Sequence, residues 1–239
     1  VSMTFEANGR TFTGCSVPSM AAVIEGLGAD FIGFNCSLGP VELLPLAKEL
    51  VSCTSLPVFI KANAGLPDPQ TNLYSISAGE FAHCMEEYLA LGIRVFGGCC
   101  GTTSEHIAAL SKALDGAKFV RPAPEHGDML PASTEKEPMY LPVDAKHGKV
   151  LSVTSELEDS LADALDSDDA MIAIRLSGWD DVDAFADCQY MINKPLCIVC
   201  DDADVLESAL RVYQGRALYE GALDESALLP LCDKYGLII

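Results

Sequence analysis

Residues 95–107 read V-F-G-G-C-C-G-T-T-S-E-H-I, a short apolar run followed by glycines, two adjacent cysteines and three hydroxyl residues. The apolar pair at 95–96 is typical of the end of a buried strand, and the hydroxyl residues at 102–104 are candidate N-caps for a following helix. A strand, a tight turn and a helix are therefore expected here. This order places Cys99 and Cys100 at the carboxyl end of a strand, where α/β folds carry their chemistry.

Two adjacent cysteines on a strand point to opposite faces, so they can serve one centre only if the backbone curls. We expect Gly97, Gly98 and Gly101 to allow that curl, because glycine tolerates positive φ. A third thiol is available from Cys36, which ends another apolar run at residues 30–36. Three thiolates suit zinc with a fourth position left open. The alternative is that all three are ordinary buried cysteines.

Three segments carry a family resemblance: G-F-N-C-S-L-G-P at 33–40, K-A-N-A-G-L-P at 61–67 and G-G-C-C-G-T-T-S-E-H-I at 97–107. Together they resemble the zinc-dependent homocysteine S-methyltransferases, and most closely the homocysteine-binding module of the cobalamin-dependent methionine synthases. The resemblance runs over about residues 1–114. It implies that the three cysteines bind Zn²⁺ and carry the catalysis.

The resemblance also implies a methyltransferase that acts on the thiol of homocysteine and gives methionine, a step of methionine biosynthesis. The zinc argument alone implies only alkyl transfer to some thiol. We expect the methyl donor to be a methyl-corrinoid (cobalamin) protein or domain. A methylated sulfonium or another corrinoid protein is the alternative donor.

The residues expected to contact the substrate stand beside the cysteines or on a neighbouring strand end: Asn35, Ser37, Asn63, Gly98 and Thr102. Ser37 precedes a helix predicted for 40–51, where free N–H groups can hold a carboxylate, although simple capping is the alternative. Asn63 follows a strand predicted for 56–62. It either contacts the substrate or the zinc, or it only shapes the A-N-A-G turn.

The order of elements predicts an α/β fold. Strands are expected near 1–5, 30–36 and 56–62, and helices near 18–27, 40–51 and 78–91. By resemblance, the strand near 1–5 is about the fifth of a (β/α)8 TIM-type barrel. Residues 1–115 are then the C-terminal half of the homocysteine-binding barrel. We expect activity to need the N-terminal half, supplied by the same polypeptide or a second chain. The strand at 56–62 is expected to be buried on both faces.

Residues 116–149 are rich in proline, which predicts a surface linker with neither helix nor strand. We expect its His126 and His147 to be solvated. Residues 150–239 predict a second, smaller and acidic β/α unit. Its strands are expected near 150–153, 170–176, 195–200, 216–219 and 236–239.

The second unit is more weakly similar to a pterin-binding domain. Val199 and Glu220 stand near positions where that family has polar partners for the pterin, so we expect a degenerate unit that binds no folate. Cys197 and Cys200 form a C-x-x-C, but residues i and i+3 of a strand face opposite ways. They make a weak candidate for a zinc site.

Composition narrows the function classes. The chain has 239 residues, 49% of them apolar and 7% aromatic, which is typical of an aliphatic α/β core. Ten cysteines without a secretory signal predict a reducing, cytoplasmic location. A net charge of −20 argues against nucleic acid and anionic membrane surfaces as partners.

Two non-catalytic functions remain open at this stage. One is a structural zinc site, closed by a fourth protein ligand such as Asn63 or a nearby histidine. The other is a regulatory or assembly module whose half-barrel pairs with a missing polypeptide.

Overall fold

A computed structural model describes residues 1–118 and 123–239. The chain divides into two compact units, which are described separately below. The first comprises Val1–Ala21 with Ala29–Glu125, and the second comprises Ala22–Gly28 with His126–Ile239. The predicted domain bounds at 115 and 150 stay a prediction, but the segment between them contains two strands.

The first unit alternates strands and helices. Its elements in chain order are β1 (Ser2–Met3), α1 (Val17–Gly26, whose last residues group with the second unit), β2 (Ile32–Asn35), α2 (Pro40–Cys53), β3 (Val58–Ala62), α3 (Ala78–Ala90), β4 (Val95–Gly98) and α4 (Ser104–Ala113). The four strands form one parallel sheet in the order β1-β2-β3-β4. The α/β class and the alternation of parallel strands with helices are confirmed.

One face of this sheet carries the core of the first unit. Phe34 and Ile60 are opposite each other in the register and both are fully buried. Their neighbours Phe59 and Lys61 point to the other face and are only half-buried, and Val95 there is 42% exposed. In this chain β3 is therefore buried on one face only, and burial of its other face in a closed barrel stays a prediction. Its continuous apolar run reflects one buried face and one half-open face.

The second unit begins with an antiparallel hairpin, β5 (Leu130–Ser133) and β6 (Pro138–Leu141). A parallel sheet follows, in the order β10-β9-β8-β7. Its elements are β7 (Val150–Ser152), α5 (Leu157–Asp166), β8 (Ile172–Arg175), α6 (Trp179–Cys188), a short 3₁₀ helix (Gln189–Met191), β9 (Leu196–Val199), α7 (Ala203–Val212), β10 (Leu218–Glu220) and α8 (Glu225–Tyr235). The strand predicted for 236–239 is reduced to one bridge, between Leu218 and Ile238.

The hairpin corrects the linker prediction. Ala132 and Leu141 are buried in one cluster with Cys197 and Val199, so the hairpin covers one face of the β7–β10 sheet. Proline misled the prediction because Pro131 and Pro138 sit in a two-stranded hairpin, where each strand is an edge and a missing N–H is tolerated. Pro122, also counted in the predicted linker, lies outside the described residues.

The opposite face of that sheet packs on the helices. Ile198 and Cys200 belong to the cluster that includes residues of α5, α6, α7 and α8, whereas Cys197 belongs to the hairpin side. The prediction that Cys197 and Cys200 face opposite ways is confirmed. They do not form one site.

The prediction that the two linker histidines are simply solvated is wrong, because both rings contact other residues. His126 stacks on Tyr140 with 4.9 Å between ring centroids. His147 is 18% exposed and its two ring nitrogens face acceptors, the Gly148 carbonyl at 2.7 Å and a Glu220 carboxylate oxygen at 2.8 Å. Both nitrogens therefore donate, as in the charged imidazolium. The pKa of His147 is raised, mainly by the bond to the Gly148 carbonyl and then by Glu220.

Among the described residues, no helix combines the length and apolar character needed to cross a bilayer.

Replacing Leu141 by Ala tests whether the hairpin is part of the core. Leu141 is 6% exposed, so Leu141→Ala should lower the free energy of unfolding by about 2–4 kcal/mol through lost burial and a cavity. Val143→Ala, at a side chain that is 71% exposed, is the matched control and should cost under about 0.5 kcal/mol. Urea denaturation followed by fluorescence of the single Trp179 reports on this unit. Equal effects would contradict the packing.

The His147 contact predicts a pH dependence of stability. A raised folded-state pKa means that the stabilisation is fully present below the unfolded value of about 6.5 and is lost as pH rises through the folded pKa. The stability difference between the native protein and His147→Gln should therefore be largest near pH 5.5 and shrink above pH 7. Denaturation curves across this range measure it. Glu220→Gln should weaken the same pH dependence, and an unchanged profile in both variants would refute the contact.

Candidate metal centre

The first cysteine of the site follows β2 in an uncommon backbone conformation. Cys36 and Ser37 have φ of 62° and 61°, the left-handed region that non-glycine residues rarely adopt. Each such residue costs on the order of 1–2 kcal/mol, so surrounding contacts must hold it. The Cys36 N–H donates to the Lys61 carbonyl at 3.1 Å, and the Leu38 carbonyl accepts from the Asn63 N–H at 3.0 Å. Both contacts come from the end of β3.

The cysteine pair follows β4 and is held by the same strand. The Cys99 N–H donates to the Ala62 carbonyl at 2.9 Å, which continues the ladder one residue past β4. The Cys100 carbonyl then accepts from the Ala64 N–H at 2.9 Å, and the Cys100 N–H donates to Oδ1 of Asn63 at 3.0 Å. Backbone hydrogen bonds therefore fix the positions of both cysteines.

The glycines act differently from the prediction. Only Gly101 of the three has a positive φ, of 77°, and it turns the chain after Cys100. Gly98 is needed for space: a Cβ there would lie 2.3 Å from Oγ1 of Thr102. At Gly97 a Cβ would lie 3.0 Å from Cγ of Lys61. The turn thus needs the positive φ of Gly101, and it needs Gly97 and Gly98 because a side chain there would collide with Lys61 or Thr102.

The fold brings the three predicted cysteines together. Sγ atoms of Cys36, Cys99 and Cys100 all lie within 4.8 Å of one another, and those of Cys36 and Cys100 are 3.4 Å apart. Cys100 is exposed and the other two are half-buried. Within residues 1–118 and 123–239, no histidine, aspartate or glutamate joins this group. Three sulfur donors at one exposed rim are a set that zinc prefers.

The thiols influence one another's ionisation. The pKa of Cys36 is lowered, chiefly because the Cys99 side chain hydrogen-bonds to it. The pKa of Cys99 is raised to about 11 by burial and by the same bond to Cys36. Loss of one proton from the group therefore opposes loss of the next. A nearby cation would favour the ionised form of these thiols, which is the physical reason to consider a metal.

Asn63 is 2% exposed and its amide oxygen is used by the Cys100 N–H. This contact favours the turn-shaping alternative, and direct contact with substrate or metal stays a prediction. Thr102 donates its hydroxyl to the Cys99 carbonyl at 2.7 Å. Asn35 donates to Oγ1 of Thr4 at 3.4 Å. These positions therefore have bonds within the protein, whatever their role toward substrate.

The start of α2 shows no side-chain cap. Its N-cap is Gly39, which has no side chain to offer, and Ser37 does not cap it. Capping of this helix start therefore falls to Gly39, and no side chain takes part in it. Binding of a carboxylate at this helix start stays a prediction, as does substrate contact at Ser37 and Gly98.

Sequence reasoning missed Tyr74 and His106. Tyr74 lies on the loop after β3, and a Cβ on Gly101 would be 2.3 Å from its Cβ and Cγ atoms. Its pKa is raised by partial desolvation, then by a hydrogen bond to Cys100 and the charge of the three thiols. His106 is 8% exposed and bonds to Thr103 and to the carbonyl of Ile76. The only signals were a single aromatic in a polar loop and a histidine three residues after an N-cap threonine.

Residues 1–114 match the family model for homocysteine S-methyltransferase. The resemblance predicted from the sequence motifs is confirmed over this segment, which contains the whole thiol group. Among curated proteins, the chain is similar to methionine synthase of Mycobacterium leprae (strain TN), 35% identical over 123 residues. It is also similar to methionine synthase of Mycobacterium tuberculosis (strain ATCC 25618 / H37Rv), 33% identical over 119 residues. Each match covers 48% of this chain and 10% of the relative.

Two glycines of nearly equal φ separate backbone strain from crowding at the site. Gly116, at φ 75°, has open space where a Cβ would lie, and Gly116→Ala should cost only about 1–2 kcal/mol. Gly101→Ala adds the collision with Tyr74 and should cost about 2–4 kcal/mol. Calorimetric unfolding of both variants measures the difference. Equal costs would show that Tyr74 does not pack on Gly101.

Proposed function

We propose that this protein takes part in zinc-dependent methyl transfer to the thiol of homocysteine, giving methionine. The observation that carries the proposal is the meeting of Cys36, Cys99 and Cys100 within 4.8 Å at the carboxyl ends of β2 and β4. The family match over residues 1–114 and the methionine synthase relatives support the reaction class.

The residues present fit zinc in a thiol-activating role. Cys36, Cys99 and Cys100 would hold the ion through sulfur, the donor type of many zinc sites. When bound, zinc supplies the positive charge that keeps an arriving thiol ionised at neutral pH. Three protein ligands leave the fourth position for that thiol. Cys100 is the exposed member of the group.

The chain's own residues orient the centre. Asn63 fixes the Cys100 backbone, and the Lys61 carbonyl fixes that of Cys36, so the sulfur atoms are held before any ligand arrives. Such preorganisation lowers the entropic cost of bringing two reactants into line. The thiol of homocysteine loses its proton to solvent on binding. Its sulfur then forms a bond to the methyl carbon as the methyl–donor bond breaks, and the bonding electron pair stays with the donor.

The donor in this proposal is a methyl-corrinoid carried by a partner protein or by another domain, and it rests on the motif resemblance alone. A methylated sulfonium is the alternative. The chain spans about a tenth of the length of the curated relatives that it matches.

We further propose that the parallel sheet β1–β4 is the C-terminal half of a (β/α)8 barrel. The half-open face that carries Phe59, Lys61 and Val95 supports this, because a closed barrel would bury it. The complementary strands would come from the same polypeptide or from a second chain, and activity would depend on them. A cytoplasmic location accords with ten cysteines that are all free thiols.

The structural-zinc alternative would need a fourth protein ligand. Within the described residues, none of the other acids, histidines or cysteines joins the thiol group. Both ring nitrogens of His106 are bonded to Thr103 and Ile76. Oδ1 of Asn63 already accepts from Cys100. These contacts favour an open site over a closed one.

For the second unit we propose no ligand. Val199 is buried against the hairpin, and the Glu220 carboxylate is bonded to His147, so neither position offers a free group to a pterin. The resemblance to a degenerate pterin-binding domain stays a prediction.

Metal content of cysteine variants tests the proposal. The native protein should bind one zinc per chain, and alanine at Cys36, Cys99 or Cys100 should abolish binding at micromolar zinc. Cys53, Cys84 and Cys188, which lie outside the group, serve as matched controls and their alanine variants should keep the metal. X-ray absorption at the zinc edge should show three sulfur neighbours, rising to four when homocysteine is added. Loss of zinc in both sets, or a sulfur count that ignores homocysteine, would overturn it.

A further inference from the structure

Lys61 is a charged side chain on the half-open face of the β1–β4 sheet, at the edge that carries the thiol group. In the register of the parallel strands it lies between Asn35 of β2 and Gly97 of β4. Cys36 is the next residue after Asn35, and Cys99 lies two residues after Gly97. The Lys61 side chain therefore begins in the last row of the sheet before the turns that carry the thiols.

Gly97 makes room for the carbon chain of Lys61. A Cβ on Gly97 would lie 3.0 Å from Cγ of Lys61 and 3.5 Å from its Cδ, so these methylenes cross the β4 backbone here. Beyond them, Nζ lies 5.7 Å from the centroid of the Phe59 ring, which is on the same face. Lys61 as a whole is half-buried. Packing on β4 and on Phe59 thus keeps the ammonium close to the sheet.

The Lys61 ammonium has no anionic partner in this chain. Within residues 1–118 and 123–239, no carboxylate lies within ion-pair distance of Nζ, and its contact is with the face of Phe59. An aromatic face attracts a cation but does not take up its three N–H donors as a carboxylate does. Partial burial of an unpaired charge costs free energy, which an anionic ligand would offset. Lys61 is therefore available to bind an anion.

The start of α2 is a poorer anion site than Lys61. Gly39 is buried there, and a Cβ on it would lie 2.7 Å from the Gly65 backbone, so the loop after β3 packs against this helix start. The same Cβ position is 2.8 Å from a carboxylate oxygen of Glu42, which is in the first turn of α2. The helix start thus already has a negative charge of its own. A second carboxylate would be repelled from it.

The charge of the proposed centre makes a nearby cation useful to the substrate. A zinc ion held by three thiolates would carry a net negative charge, and the thiolate of homocysteine would add to it. The carboxylate of homocysteine is joined to that sulfur by a short carbon chain, so it would be repelled by the same centre. A lysine at the same edge of the sheet would counter this repulsion.

We propose that Lys61 binds the carboxylate of homocysteine and makes the site selective for thiols that carry a carboxylate. This inference rests on the proposed function, since it names the group that holds the other end of that substrate. The ammonium donates to the carboxylate in a charge-assisted hydrogen bond. The amino group of homocysteine is itself a cation and points away from Lys61. With its sulfur on the metal and its carboxylate on Lys61, the substrate keeps one orientation toward the methyl donor.

The test compares three thiols in which the carboxylate and the amino group are varied separately. Homocysteine has both groups, mercaptobutanoate keeps only the carboxylate, and aminopropanethiol keeps only the amino group. Each thiol is titrated into the full chain loaded with Co²⁺, and the change in sulfur-to-cobalt absorption gives its Kd. The variants are Lys61→Met, which removes the charge and keeps most of the carbon chain, and Lys61→Arg, which keeps the charge. Lys48→Met, at an exposed lysine of α2, is the matched control.

Lys61→Met should raise the Kd of homocysteine and of mercaptobutanoate about five- to thirtyfold, because a charge-assisted hydrogen bond is lost. The Kd of aminopropanethiol should not rise, since it has no carboxylate to lose the contact. Lys61→Arg should keep the Kd of all three thiols within about threefold of the native values, because the positive charge remains. Lys48→Met should change none of them.

The outcomes separate this inference from the proposed function. If Lys61→Met weakens all three thiols equally, Lys61 acts on the centre as a whole, and the inference is wrong while the metal site stands. If homocysteine binds through sulfur with the same Kd in Lys61→Met as in the native protein, the inference is again wrong and the proposed function is supported. If the native protein retains no Co²⁺, or homocysteine leaves its absorption unchanged, the proposed function and the inference both fail.

Discussion

The thiol group depends on the hydrogen bonds made by the four residues at the end of β3, residues 61–64. Lys61 and Ala62 offer carbonyls to the N–H groups of Cys36 and Cys99, Asn63 offers its side-chain oxygen to that of Cys100, and Ala64 donates to the Cys100 carbonyl. One central strand therefore holds the turns that follow the strands on either side of it. The parallel register also places the carboxyl ends of β2, β3 and β4 at the same edge of the sheet.

The pKa values of Cys36 and Cys99 influence which ligand this group can bind. The bond between Cys36 and Cys99 lowers the pKa of one thiol at the expense of the other, so the metal-free group favours a partly protonated state. A bound dication would remove that conflict, and its binding would release protons. Left-handed backbone at Cys36 and Ser37 adds a cost that the hydrogen bonds from β3 offset. The site thus combines a locally strained backbone with thiols that oppose one another's ionisation.

Much of this centre could be predicted from the sequence, because its main determinants are local. Apolar runs that end in N-C and G-G-C-C identify the two strand ends, and parallel pairing brings them together. The left-handed Cys36, the contact of Tyr74 with Gly101 and the bond between His147 and Glu220 depend on residues far apart in the chain. No local pattern encodes such contacts. The hairpin at β5 and β6 was hidden for another reason: proline content argues against a central strand but not against an edge.

The long sequence separation within the thiol group has a consequence for how the chain folds. Cys36 and Cys100 are 64 residues apart, and Asn63 is 37 residues from the N–H group that it holds. Contacts of such high order form late, after the cost of closing large loops has been met. The three sulfur atoms can therefore meet only when β2, β3 and β4 have already paired. A cation bound by these three cysteines would therefore indicate that the sheet has formed. It would stabilise the folded state without affecting the early steps of folding.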